Sequence, residues 1–340
     1  MSASKQCIRK TSIAETLVET IHLVTASHIN PLGILHGGVG LRWMVTTGSL
    51  AAMRVARGPA LIVHLDNVFF LNPVRLGYNA VISGWVEYVG RTSMEVTVVM
   101  EEENPGTGER KLTTAAHMTF VAVDEDIHPR SVPTCLTPSS PFEEELMKRA
   151  KERRDRRGPR LSPKDLSTPQ PLIPEYKLVS YKLVNPEDTL TLNVMHGGRL
   201  LYLMDELAGI TAMKYARGVM VTAAIDATDF VHPIWVGDIL EVYTALTFVG
   251  RTSVEVTVKT LTTNPWTGER YHTTTSYFTL VHLGKEMRPA PVPPFKPEQP
   301  WQRELYQQAL NRRKLRQETL SYFKQSLDKI KPPLQRKKQQ

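Results

Sequence analysis

The chain has 340 residues, of which 41% are hydrophobic and 22% are charged. This length is enough for two domains of ordinary size, each with its own core. No apolar run reaches the roughly eighteen residues that a membrane-spanning helix needs, so a membrane-spanning protein is not expected. The formal net charge is +8, but much of the excess lies in basic runs that are typical of solvated helix faces or tails, and we therefore expect no nucleic-acid partner.

Cys7 and Cys135 lie far apart in the sequence and outside any metal-ligand spacing. They predict neither a disulfide framework nor a metal site, and we infer a reducing compartment. No cofactor is implied. Residues 1–15 are basic and contain Ser and Thr, as in a transit peptide, but they lack the apolar segment of a secretion signal. We expect a cytoplasmic location, with a mitochondrial one as the alternative.

The elements of the first half follow in chain order. A strand is predicted near 18–26. The next segment, which begins at Gly37, has apolar residues at helical spacing and ends at Gly58, a usual helix terminator. Runs rich in β-branched residues then predict strands at 61–71, 79–89, 92–103 and 111–123. A helix that is apolar on most of its surface needs burial all round, which a curved antiparallel sheet supplies. We therefore predict an α+β unit.

The second half repeats the first in one constant register, which aligns His36 with His196. Without a gap, 34 of the 95 positions in 36–130 are identical to those in 196–290. The repeat predicts a strand near 176–185, a helix at 197–217 and strands at 219–231, 238–249, 252–263 and 270–283. A basic helix follows each unit, at 141–154 and 300–313. We predict a first domain at 1–130, a linker with a basic helix at 131–170, a second domain at 171–290, and a C-terminal basic helix and tail at 291–340.

Three motifs resemble the acyl-CoA thioesterase family with tandem hot-dog domains. They are N-x5-HGG from Asn30 to Gly38, HGG-x5-MDE-x2-G from His196 to Gly209, and VGRTS-x-EV in both halves. The resemblance implies two hot-dog domains side by side, with each potential site between the helix of one domain and the helix N-terminus of the other. It also implies a fatty acyl-CoA substrate, which is hydrolysed to fatty acid and CoA, and a homo-oligomer, commonly a trimer of double hot-dogs.

The family pattern places an Asn six residues before the His of HGG, and an acid nine residues after the His of the partner helix. Asn30 and Asp205 match these two positions. The register of the repeat puts Leu190 and Val45 at the corresponding positions of the other site. We therefore expect a single composite catalytic site.

The chemistry of thioester hydrolysis assigns a role to each of these residues. A carboxylate on an apolar helix has a raised pKa, so Asp205 is the candidate general base or nucleophile, and the sequence does not decide between them. The backbone N–H of Gly37, at the start of the first helix, is the candidate oxyanion donor. The Asn30 amide would hold the attacking water or the carbonyl. As structural alternatives, Asp205 could be a surface acid and Asn30 a turn residue.

The repeated VGRTS motif supplies Arg91, Ser93, Arg251 and Ser253, which the resemblance places against the phosphates of CoA. The alternative for these four residues is a tight turn with an exposed arginine. Two other functions stay open. A hot-dog dehydratase or hydratase would show an acid–base His beside the Asp, and a non-catalytic acyl-CoA sensor would bind without turnover.

Overall fold

The computed structural model describes residues 7–158, 162–326 and 333. In the first unit, a helix of 20 residues, α1 (Gly37–Ala56), lies against a curved antiparallel sheet. The strands of this unit are β1 (Arg9–Thr11), β2 (Val18–Leu23), β3 (Ala60–Leu65), β4 (Val68–Phe69), β5 (Asn79–Val89), β6 (Ser93–Glu103) and β7 (Arg110–Ala122). A short strand, β8 (Thr134–Leu136), and a helix, α2 (Pro141–Asp155), follow.

The second unit repeats this order. Its central helix is α3 (Gly197–Ala216), which also has 20 residues. Its strands are β9 (Lys177–Leu183), β10 (Met220–Ile225), β11 (Thr228–Asp229), β12 (Ile239–Val249), β13 (Ser253–Thr263) and β14 (Arg270–His282). A last helix, α4 (Pro300–Ser326), extends well beyond the span predicted for it. The predicted α+β class with two hot-dog units is confirmed.

The central helices are buried because they are apolar on most of their surface. Fourteen of the 20 residues of α1 are buried, and α1 and α3 belong to one contiguous apolar core that includes residues of both units. A helix whose apolar residues are not confined to one stripe is stable only when neighbours cover most of its faces. The two units therefore share a core.

A continuous antiparallel ladder joins the two sheets. The predicted strand 61–71 is interrupted at Asp66, so β3 pairs within its own sheet while β4 crosses over to β10 of the other unit. In the same register, β11 pairs with β3. Leu65 lies opposite Thr228 and Val68 lies opposite Ile225. Each six-stranded sheet thus receives one edge strand from the other unit.

The basic helices α2 and α4 pack on the outer faces of the sheets. Four arginines on or next to these helices form ion pairs with acidic residues of the sheets, namely Arg153–Glu87, Arg157–Glu95, Arg312–Glu255 and Arg316–Asp226. The three glutamates are buried. The expectation of solvated helix faces is therefore wrong for these side chains, because their charges are matched by acids on the sheet beneath.

The expectation that the cysteines stay unpaired is also wrong. Strand β1 pairs in parallel with β8, with Lys10 opposite Cys135, and the chain just before β1 brings Cys7 to Cys135 with their Cα atoms 5.7 Å apart, where they form a disulfide. This distance is ordinary for a disulfide. No local sequence signal marks the pair, because the two cysteines are 128 residues apart.

None of the helices in the described part of the chain combines the length and the apolar character needed to span a bilayer. The first six residues of the segment that is similar to a transit peptide lie outside the described residues. So does the predicted tail beyond residue 326, apart from residue 333.

Candidate active site

A cavity of about 610 Å³ lies between the two units. Its walls come from both halves of the chain, and most of them are apolar. Asn30, His36 and Gly37 contribute from the first unit, and Asp205 and Thr222 from the second. The cavity is large enough for a small-molecule site, and the structure brings the three predicted catalytic residues together around it.

The Asp205 carboxylate is buried on α3 and points at the start of α1. One carboxylate oxygen, Oδ2, accepts the Gly38 N–H at 2.6 Å, and the other, Oδ1, accepts the Thr222 hydroxyl at 2.5 Å. Burial raises the pKa of Asp205, and the nearby His36 together with these two hydrogen bonds opposes that rise. A carboxylate with a raised pKa is a better proton acceptor near neutral pH, and the surface-acid alternative for Asp205 is wrong.

Two glycines let the start of α1 approach α3 closely. A Cβ atom at Gly37 would lie 3.0 Å from Asp205 Oδ2, and one at Gly38 would lie 2.9 Å from the Tyr202 carbonyl oxygen. Within the described part of the chain, the Gly37 N–H has no hydrogen-bond acceptor. This N–H lies at the positive end of the α1 dipole, where it is available to an oxyanion.

Asn30 lines the same cavity but also has a structural role. Its side-chain Oδ1 accepts the Leu32 N–H at 3.0 Å, and its backbone carbonyl accepts the Gly33 N–H at 3.0 Å, as in a turn. The turn alternative therefore accounts for the oxygen of the amide. Among the hydrogen bonds of the described residues, the Asn30 Nδ2 has no acceptor, so it remains free to contact a ligand.

Sequence reasoning missed two neighbours of Asp205. Thr222 holds one carboxylate oxygen, and His36 is the N-cap of α1, with its Nδ1 3.4 Å from Asp205 Oδ2. Thr222 could have been found from the repeat, because its counterpart in the first unit is Ile62. Asn30 and Asp205 likewise have apolar counterparts in the repeat, Leu190 and Val45.

A second, smaller cavity occupies the position of the other potential site. Its volume is about 260 Å³, and it is lined by Leu190, Ile62 and Gly197, the counterparts of Asn30, Thr222 and Gly37. Val45 stands where Asp205 stands in the other unit. Among the residues that the structure describes, this second cavity lacks the carboxylate, the hydroxyl and the amide that the first cavity has at these positions.

Comparison with known proteins identifies the family. The thioesterase superfamily model matches residues 32–109 and 192–264. The chain is 31% identical over 304 residues to the mouse cytosolic acyl coenzyme A thioester hydrolase, with 82% of this chain and 78% of that protein covered. The chain belongs to the acyl-CoA thioester hydrolase family.

Other members of the thioester hydrolase family match one or both units. The human cytosolic acyl coenzyme A thioester hydrolase is 31% identical over 79% of this chain and 75% of its own length. An uncharacterized acyl-CoA thioester hydrolase of Bacillus subtilis is 39% identical over 36% of this chain and 72% of its own length. A solved acyl-ACP thioesterase from Bacteroides thetaiotaomicron shares the fold, with a TM-score of 0.51 and 13% identity over 79% of this chain and all of that one.

The residues that the thioester hydrolase resemblance placed against CoA lie elsewhere. Arg91 and Arg251 are exposed at the turns that follow β5 and β12, and Ser93 and Ser253 begin the next strands. None of these four residues is among the described residues that line the cavity around Asp205. Their role in binding CoA stays a prediction.

Proposed function

We propose that this protein hydrolyses the thioester of fatty acyl-CoA to fatty acid and CoA at one composite site between the two units. The contact of the buried Asp205 carboxylate with the start of α1, inside a largely apolar cavity, carries this proposal. The names of the relatives in the mouse and in humans, acyl coenzyme A thioester hydrolases, support it.

The site offers one group for each chemical requirement of the reaction. The acyl chain occupies apolar parts of the cavity, and the carbonyl oxygen points at the Gly37 N–H, where the helix dipole favours the charge that develops on it. Asp205 takes a proton from a water that the Asn30 amide orients, and that water attacks the carbonyl carbon. CoA leaves as the thiolate. Thr222 and the Gly38 N–H hold the carboxylate in position.

Hydrolysis of a panel of acyl-CoAs from acetyl to palmitoyl tests this proposal. We expect the wild type to hydrolyse at least part of the panel, and we expect Asp205→Ala and Asn30→Ala to lose activity while circular dichroism shows a retained fold. Unchanged rates in both variants would remove the composite site. Binding of acyl-CoA without turnover by the wild type would instead favour a sensor.

We propose that Asp205 acts as a general base, because its raised pKa favours proton transfer. The alternative is attack by the carboxylate itself, which would form an acyl anhydride. Rapid quenching with hydroxylamine during a single turnover separates the two. A hydroxamate on Asp205, detected by mass spectrometry, would show that the carboxylate is the nucleophile.

For the CoA moiety, we propose that the exposed Arg91 and Arg251 contact its phosphates, with Ser93 and Ser253 beside them. A phosphate contact predicts that Arg91→Gln and Arg251→Gln raise KM for acyl-CoA more than they lower kcat. The same variants should leave KM unchanged for an acyl thioester of N-acetylcysteamine, which has no phosphate. Equal effects on both substrates would contradict the phosphate role.

We propose that the protein forms a homo-oligomer, and a trimer of double hot-dogs is the assembly we expect. The edge strands β2 and β9 support this, because their outer sides carry exposed apolar residues at matching positions of the repeat, namely Ile21, Leu23, Tyr181 and Leu183. Apolar rows on edge strands are typical of interfaces. Sedimentation analysis of the wild type and of Leu23→Glu and Leu183→Glu tests this, since a monomeric wild type would contradict it.

We further propose that the chain divides at 1–130, 131–170, 171–290 and 291–340, and that it works in the cytoplasm, as the names of its mammalian relatives suggest. The mitochondrion is the alternative. Imaging of the tagged full-length chain in cells separates the two locations.

A further inference from the structure

The second cavity is enclosed by the same helix and strand positions as the cavity around Asp205, which we call the active cavity. Most of its lining residues have a counterpart in the repeat that lines the active cavity. Phe230 corresponds to Phe70, and Thr273 to Thr113. The same strand and helix positions therefore enclose a cleft of the same kind on each side of the molecule, although only one cleft has the catalytic groups.

The second cavity cannot perform thioester chemistry. Ile62 packs against the start of α3, where a Cβ atom at Gly197 would overlap its Cγ2 atom. Ile62 thus takes the place beside Gly197 that Thr222 has beside Gly37 in the other cavity. No Asp or Glu side chain lines this cavity among the described residues.

The chain nevertheless keeps the second cavity open. Ala60 stands at the position where Met220 lines the active cavity, so a short side chain replaces a long one. An empty apolar cavity is destabilising, because the atoms of its walls lack packing partners. A longer side chain at residue 60 would remove part of this cost, and the open space is what a ligand would use.

Two polar side chains that line the second cavity are paired with each other. Ser49 and His196 share a hydrogen bond of 3.3 Å between Oγ and Nε2, and the Ser49 hydroxyl also lies within hydrogen-bond distance of the Val45 carbonyl. Burial, together with the nearby charge of Arg42, lowers the pKa of His196 to about 4. The imidazole is therefore neutral at physiological pH and does not oppose an apolar occupant.

We propose that the second cavity binds the hydrocarbon chain of a free fatty acid without catalysing any reaction. An apolar cavity of roughly 150 Å³ takes up benzene, so 260 Å³ accommodates part of a medium-length chain. The carboxylate stays in water at the rim, where Pro129, Leu190 and Thr191 are exposed.

Charge decides which cavity a free fatty acid prefers. Asp205 and Glu206 both line the active cavity and repel a further carboxylate. The second cavity has no such group among its described lining residues. If the proposed function holds, hydrolysis releases a saturated fatty acid. This product then has a second site on the same molecule, which the thioester reaction does not use.

Calorimetric titration of the full-length protein with decanoate tests this inference. We expect the wild type to bind decanoate in the second cavity and Ala60→Met to lose that binding, because the new side chain is the one that fills the matching position of the other cavity. Met220→Ala is the matched reverse change, and it should leave binding in the second cavity intact. Equal decanoate binding by the wild type and Ala60→Met, with both proteins folded, would overturn the inference.

A second measurement needs no substitution. The wild type is first saturated with a thioether analogue of decanoyl-CoA, which cannot be hydrolysed, and decanoate is then titrated. One decanoate per chain is expected, and no binding would overturn the inference. If the analogue itself does not bind, the proposed function fails, whereas the decanoate titration of the free protein still tests the second cavity.

Discussion

The two cavities are built on the same helix and strand positions, and the main chemical difference between them lies in three side chains. Both lie at the N-terminus of a helix of 20 residues, and both helices begin with two glycines after a histidine. Asn30, Asp205 and Thr222 belong to one cavity, whereas Leu190, Val45 and Ile62 hold the equivalent positions of the other. The fold thus provides the cleft and the helix dipole twice, while the reaction depends on polar groups that are present once.

Burial of these polar groups destabilises the fold, which accounts for their presence in only one of the two described cavities. A buried carboxylate is destabilising unless hydrogen bonds compensate for the lost hydration. Asp205 has two such bonds, from Gly38 and Thr222. A carboxylate at Val45 would face Ile62, whose side chain cannot donate a hydrogen bond. Loss of one member of the set therefore favours loss of the others.

The largest expected effect is on hydrolysis by Asp205→Asn, which keeps the shape of the side chain but removes the base. We expect kcat/KM to fall by about 10²- to 10⁴-fold, the range for general acid–base groups. The matched change in the second cavity, Val45→Ala, should leave kcat/KM close to that of the wild type. Similar losses in both variants would mean that the two cavities do not differ as described.

Removal of the Thr222 hydroxyl should have a smaller effect. Hydrogen bonds to charged groups contribute about 1.5–3 kcal/mol, so Thr222→Val should lower kcat/KM by about 10- to 100-fold. Ile62→Val is the control at the equivalent strand position. Steady-state kinetics of the two variants compares them directly, and a wild-type rate for Thr222→Val would contradict its positioning role.

The pH profile of the same variants sharpens the comparison. The base must be ionised, so kcat/KM should rise with pH through the raised pKa of Asp205. The Thr222 hydrogen bond lowers that pKa, and Thr222→Val should therefore move the acidic limb to higher pH. Asp205→Asn should lack this limb. A limb at the same pH in Thr222→Val and the wild type would assign it to another group.

The smallest expected effect is on the thermal stability of Asp205→Asn, which should rise while activity falls. Because the pKa of Asp205 is raised in the folded protein, the folded state binds its proton more tightly than the unfolded state does. The Asp205 carboxyl therefore stabilises the folded state most when the pH lies below its pKa in the unfolded state. This stabilisation is lost as the pH rises through its pKa in the folded state. Asp205→Asn should raise Tm at neutral pH, by about 2–4 °C for each kcal/mol gained.

That gain should vanish at acidic pH, where the carboxyl is protonated in both states. Val45→Asp should lower Tm at neutral pH, since Ile62 offers the new carboxylate no hydrogen bond. Scanning calorimetry at several pH values checks both signs. A Tm for Asp205→Asn that stays below the wild-type value at neutral pH would contradict the raised pKa.

Much of the fold was predictable because the repeat doubled every local signal. The central helices and the strands of both units follow from hydrophobic patterning and turn residues. The single strand expected at 61–71 was wrong, because the chain leaves its own sheet at Asp66 to pair with β10. That crossover is a tertiary contact with no local pattern. The pairing of Cys7 with Cys135 depends on how two distant segments of the chain meet and has no local pattern either.

The site was predictable where a residue stood in a motif. Asn30, Gly37 and Asp205 were found through HGG and its spacing. Thr222 lies on a strand in which threonine is an ordinary residue, so its apolar counterpart Ile62 in the repeat is the one sequence signal that marks it. His36 carries no distinguishing sequence signal, because loop histidines are common, and its distance from Asp205 depends on how the two central helices cross.

The strand pairing between β3–β4 and β10–β11 implies that the two halves of the chain could be expressed as separate polypeptides. Each half gives the other an edge strand, and the cavity around Asp205 needs walls from both. A cut in the connection between α2 and β9 therefore leaves the halves associated and the site whole. Two separately expressed halves should recombine into an active heterodimer, whereas either half alone exposes an unpaired strand edge and has no complete site.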